Sequence, residues 1–275
     1  MDDRNHVFVL LATVLGLVAG VAADPLGQRL ADASFVADER RRQEAMNARQ
    51  TAPAAPTGDR VATGDALQPE EPADDGVQIG HLLPQGRSPG RSALAGVLSG
   101  VLAGLAAARF GCHLLVVPYL VFLVALVMLS LTDLSHRLLP RTIIYPTLVV
   151  VAALLVANSL IDGSRSALTG AAIGGVASFA VFFAVWYFVP RGMGFGDVRL
   201  AGLIGMAVGY LSLLHVYVAF VVALLAGLLV SVVVLVVAGG GRKTRIPFGP
   251  SLAIGASVAV LWGGPLVHAI FPATR

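Results

Sequence analysis

Long stretches without charge alternate with short polar connections along most of the chain, and the lengths of those stretches set the first expectation. A bilayer core takes about 20 apolar residues per helix, and about 17 suffice where the flanks snorkel. Residues 7–23, 92–108, 113–132, 142–160 and 166–189 each meet that length. Residues 200–241 hold no charged side chain over 42 positions, long enough for two spans turning near Gly209 to His215, and 246–274 hold one more. The pattern predicts an all-α polytopic membrane protein, a bundle of about eight transmembrane helices. Small residues recur at close-packing intervals: Gly96, Gly100 and Gly104 line one face, as do Gly205 with Gly209, and Gly170, Gly174 and Ser178.

Composition agrees and narrows the class. The 275 residues are 56% hydrophobic and 13% charged, with mean hydropathy +0.81, which excludes a soluble globular domain. A formal charge of +3 does not point to nucleic acid, because the 19 basic residues are dispersed between apolar runs rather than gathered on one segment. Their placement reports topology instead. With 24–91 in the cytoplasm, 15 of the 19 fall inside and only Arg4, Arg109, Arg165 and Arg275 outside, as the positive-inside rule asks.

Three regions follow. Residues 1–23 read as the first transmembrane helix. The alternative is a signal peptide cut after Val21-Ala22-Ala23, although Met1-Asp2-Asp3-Arg4 lacks the positive flank of one. Residues 24–91 read as a cytoplasmic linker, partly disordered. It is charged and helix-capable through Asp38-Glu-Arg-Arg-Arg-Gln-Glu44, then rich in Pro and Gly over 51–91. Residues 92–275 form a seven-helix core. The lone Cys112 can form neither an intrachain disulfide nor a Cys-based metal cluster, and the six histidines are scattered, so no metal site is expected.

Acids locate the chemistry. Region 24–91 holds 11 of the 16 carboxylates and the N-terminus two more, so the 184 residues after Arg91 contain only Asp133, Asp162 and Asp197. Acids near a membrane core are costly and tend to mark function. Asp162 lies in the outer loop Asp162-Gly-Ser-Arg165 and reads as a turn residue. Asp133 ends one span and Asp197 begins another. Two complete crossings separate them, so both return to the same membrane face. Singly, each has a plain structural reading as an interface or helix-capping acid. As a pair sharing a site, one holds a proton while the other is ionised, the arrangement with which an aspartyl protease activates water and polarises a peptide carbonyl. The glycines before Asp197, Gly192, Gly194 and Gly196, permit unusual backbone angles and close approach of an extended chain.

At these residues the sequence resembles the type IV prepilin peptidases, membrane aspartyl proteases with a Gly-x-Gly-Asp motif. Asp133-Leu-Ser-His-Arg-Leu-Leu-Pro140 is similar to their first catalytic segment, and Met193-Gly-Phe-Gly-Asp-Val-Arg-Leu200 to their second, with Arg199 where a basic residue is usual. Arg245-Ile-Pro247-Phe248-Gly249-Pro250 resembles the third, a loop opening the last span. The resemblance covers about residues 92–270. It implies Asp133 and Asp197 as catalytic residues, supported by Pro140, Met193, Gly194, Gly196, Arg199, Pro247, Phe248, Gly249 and Pro250. It also implies removal of the leader of prepilin-like membrane proteins at the cytoplasmic face of the inner membrane. Region 24–91 departs from larger members, which carry a Cys-x-x-Cys zinc module there; this one has no Cys. Those members also methylate the new N-terminus from S-adenosylmethionine, and their early motif is echoed only by Gly16-Leu-Val-Ala-Gly20 and Arg29, so an endopeptidase without cofactor is expected. The alternatives are a transporter or channel, and a catalytically silent pilus-assembly partner.

Overall fold

The computed structural model describes residues 3–51, 89–136, 139, 141–189, 193–237 and 248–270. Among them helix is the only regular secondary structure, as apolar segments require when lipid offers their backbone no partner. The helices are α1 (Asp3–Thr51), α2 (Pro89–Phe110), α3 (Val116–His136), α4 (Arg141–Asp162), α5 (Arg165–Phe188), α6 (Phe195–Gly209), α7 (Leu213–Val237) and α8 (Gly249–Ile270). Seven are long and apolar enough to cross a membrane. The eighth, α6, has 15 residues, or about 22 Å of helix. The turn expected within 200–241 lies between α6 and α7.

The first helix runs further than its apolar segment. The expected span 7–23 continues through Pro25 without a break to Thr51, and Asp24 and Gln28, read from sequence as the start of a solvated linker, are buried among the helices. The Pro/Gly-rich remainder of that linker, residues 52–88, lies outside the described residues.

Helices pair through small residues, since in lipid close van der Waals approach rather than the hydrophobic effect drives association. Gly16 and Gly20 of α1 meet Ala103, Ser99 and Ala95 of α2, while Gly96, Gly100 and Gly104 of α2 receive Leu17, Thr13 and Val21 in return. The two glycine stripes predicted on α5 and α6 face each other: Gly170 and Gly174 against Gly209 and Gly205. A Cβ on Gly205 would strike the Gly174 carbonyl oxygen and Ser178 Oγ. Gly205→Ala is therefore expected to destabilise the bundle by about 1–3 kcal/mol, read as a lower thermal midpoint in detergent; an unchanged midpoint would show that this contact is loose.

Between these pairs stand α3, packed by α1, α2, α4 and α8, and α6, packed by α4, α5, α7 and α8. Tyr119, Phe122, Leu123 and Leu126 of α3 and Leu200, Leu203 and Ile204 of α6 join Leu252 and Ala256 of α8 in one core. Asp162 is more than a turn residue. Its carboxylate accepts from Asn158 Nδ2 at 3.0 Å, and the same nitrogen reaches Tyr210 Oη. This closes a polar cluster at one end of the bundle, away from Asp133 and Asp197.

Candidate active site

The two central helices each deliver one acid to the same end of the molecule. Asp133 occupies the last turn of α3 and Asp197 the first turn of α6. Both are buried, at 5% and 8% exposure, in a chain whose other acids sit mostly in the first, charged region. Burial of a carboxylate calls for a hydrogen-bonded or electrostatic reason. For Asp133 one reason is the start of α8, where the Gly249 amide donates to Oδ2 at 3.0 Å. A Cβ on Gly249 would lie 2.6 Å from that oxygen, so glycine lets the α8 backbone come this close.

Asp197 is anchored differently. Its own amide donates to the Gly194 carbonyl at 3.1 Å, closing the turn that starts α6. Its Oδ1 is buried without a hydrogen-bond partner among the described residues. Asp197 lies in the first turn of α6, outside the seven spans. Burial, and secondly the negative charge of Asp133, push its carboxyl up to about 7, while a backbone hydrogen bond from Gly194 pulls the other way. Asp197 thus holds its proton where an ordinary carboxylate has lost it.

A stability consequence follows, with the sign opposite to that of a salt-bridged acid. Between the ordinary carboxylate value and the raised one, the folded protein binds more protons than the unfolded chain, so stability falls as pH rises through that window. Wild type is expected to lose thermal stability in detergent between about pH 5 and about pH 8, and Asp197→Asn to flatten the loss. Parallel profiles for the two proteins would contradict the raised carboxyl.

The glycines of this turn act through space more than through backbone angle. Gly194 is extended, with φ −73° and ψ 146°, a conformation open to any residue, and Gly111 and Gly163 are the glycines of positive φ among the described residues. At Gly196 a Cβ would lie 2.7 Å from Leu139 Cβ, so this position lets the segment after Asp133 fold against the turn carrying Asp197. Phe248 packs over Gly227 of α7, and Gly249 and Pro250 open α8. The guanidinium of Arg199 lies 4.4 Å from the centroid of Phe195 and 5.5 Å from that of Tyr145, and Trp186 meets Phe195 edge-on at 5.0 Å. Met193 lies just before the turn; Pro140, Gly192 and Pro247 fall outside the described residues. Leu139 and Tyr145 were not singled out by sequence reasoning. The hydrophobic residue before Pro140 was the available signal for Leu139, and none pointed to Tyr145.

The sequence of this region matches known proteins. Residues 120–237 match the model of the type IV leader peptidase family. A prepilin leader peptidase/N-methyltransferase of Xanthomonas campestris pv. campestris is 34% identical over 146 residues, 52% of this chain and 48% of that protein. The proteins of the same name from Pseudomonas aeruginosa and Bacillus subtilis are 33% identical over 149 residues and 30% over 162, covering 52% and 59% of this chain and 48% and 62% of theirs. The chain thus spans about half the length of most of the curated relatives it matches. No solved structure matches it. The matched stretch contains both buried acids and the glycine turn that positions the second, so the likeness to the type IV leader peptidase family falls on the candidate site.

Proposed function

We propose that this chain is an aspartic endopeptidase that cuts the leader from type IV prepilin-like membrane proteins at the cytoplasmic face of the inner membrane. The observation that carries the reading is the pairing of two buried acids at one end of the bundle, one of them raised by burial and by the charge of the other. Protonated Asp197 donates a hydrogen bond to the scissile carbonyl oxygen. Ionised Asp133, oriented by the Gly249 amide, takes a proton from water as its oxygen attacks the carbonyl carbon. That proton then passes to the amide nitrogen as the carbon–nitrogen bond breaks, and both acids return to their starting states. No step calls for a metal or an organic cofactor.

The relatives' names supply the substrate class, and the concentration of Lys and Arg on the side of region 24–91 supports the membrane face. Methyl transfer is no part of the proposal: Gly16 and Gly20, which echo that motif, serve the packing of α1 on α2. The test is co-expression with a prepilin-like protein, followed by mass and N-terminal sequence of the product. Removal of a leader just before the hydrophobic helix is expected; a substrate that stays intact overturns the reading.

A further inference from the structure

A second buried polar cluster lies beside the candidate site, built from residues before the matched family region. Asp24 of α1 and Arg91 of α2 are each 2% exposed. Arg91 Nε donates to Asp24 Oδ1 at 3.0 Å, and Asp24 Oδ2 accepts from Gln28 Nε2 and Ser92 Oγ, both at 3.0 Å. The ion pair is thus hydrogen-bonded on both carboxylate oxygens, as a buried pair must be to offset its desolvation. Arg91 also reaches out of this cluster: its Nη1 donates to Ser135 Oγ in the last turn of α3. Ser135 Oγ donates a hydrogen bond to the Leu131 carbonyl at 3.0 Å, which leaves its lone pairs to accept from the guanidinium.

Ser135 lies two residues after Asp133. The final turn of α3 is consequently held from two sides, by the α8 backbone at Asp133 and by the α2 guanidinium at Ser135. A helix end frays unless its groups are tied down. Asp24 fixes Arg91, and the rigid planar fork of the guanidinium carries that fixation across to α3, which a lysine cannot reproduce.

We propose that Arg91, braced by Asp24, is a positioning residue that sets the placement of Asp133 through Ser135, making α1 and α2 part of the working unit. This rests on the reading of Asp133 as one of two paired acids.

Two measurements test it on the full chain in lipid vesicles. The first needs no substrate: dicyclohexylcarbodiimide modifies protonated carboxyls in apolar surroundings, so the pH at which half of Asp197 is labelled, mapped by peptide mass, reports how close Asp133 stands. Asp133→Asn is expected to lower that midpoint, and Ser135→Ala and Arg91→Lys to lower it by a smaller amount. Ser135→Ala keeps the Asp24–Arg91 pair and Arg91→Lys keeps its charge, so both are expected to leave the bundle folded. The second is leader cleavage, in which both variants are expected to lose roughly tenfold to a hundredfold in kcat with KM within about twofold.

Wild-type labelling midpoints in both variants overturn the proposal, as does an Asp133→Asn midpoint that does not move. Loss of folded protein in both variants, with labelling unchanged in what remains folded, makes the cluster a packing device and overturns it as well. Shifted midpoints without leader cleavage by wild type sink the peptidase reading and leave the positioning role standing.

Discussion

Asp197→Asn is expected to leave the helix bundle folded and to lower leader cleavage by about 10²–10⁴-fold in kcat. The side chain keeps its size and its place at the start of α6, while the amide has no carboxyl proton to direct at a developing oxyanion. Asp133→Asn is expected to fall as far for the complementary reason, since its amide oxygen still accepts from Gly249 but no longer takes a proton from water. If the two acids act as one unit, as proposed, the double variant is expected to be no slower than either single one. Single-turnover cleavage in vesicles, normalised to folded protein, measures all three. A single variant that cuts at the wild-type rate would remove that acid from the mechanism.

Gly249→Ala is expected to be the most damaging substitution outside the acids. The added carbon would sit 2.6 Å from Asp133 Oδ2, 3.0 Å from Cγ and 3.2 Å from Cβ, so the carboxylate or the start of α8 must move. Either movement breaks the amide hydrogen bond. Overpacking of this kind costs about 1–3 kcal/mol, and displacing a reacting group by about 1 Å costs on the order of a hundredfold in rate. Gly194→Ala is the contrast, because its nearest neighbour would be Asp197 Oδ2 at 3.7 Å and its backbone is extended. The stability cost at Gly249 is expected to exceed that at Gly194 clearly in thermal melts. Equal costs would show that the α8 backbone yields without strain.

The membrane class, the glycine stripes and the two acids were legible in the sequence because lipid leaves so few options. Apolar length sets the spans, and an acid beyond residue 91 is rare enough to notice singly. What stayed hidden depends on pairings distant in sequence. Asp24 looks like the first residue of a solvated linker until Arg91, 67 positions later, is brought beside it. Gly196 reads as a site of unusual backbone angle or of close approach by an extended substrate, yet its need for space comes from Leu139, which local sequence cannot place. The first helix extends past residue 23 because its charged continuation is itself helix-forming, so the end of the apolar run is not the end of the element. The shortness of α6 was masked by the continuous apolar character of 200–241.

Backbone meets backbone where Gly170 and Gly174 face Gly209 and Gly205, and Trp186 braces Phe195 at the other end of the same pair. The opposite side of α5 is open, with Ile173, Val176, Phe183 and Tyr187 exposed toward the surrounding lipid. With no long, compliant side chain between the glycine faces, α5 and α6 pack as one unit that offers one side to lipid and carries Asp197 at its inner end. Acyl-chain length and packing order are therefore expected to reach the geometry of the paired acids through this unit, which rates compared across vesicles of different acyl-chain length would show.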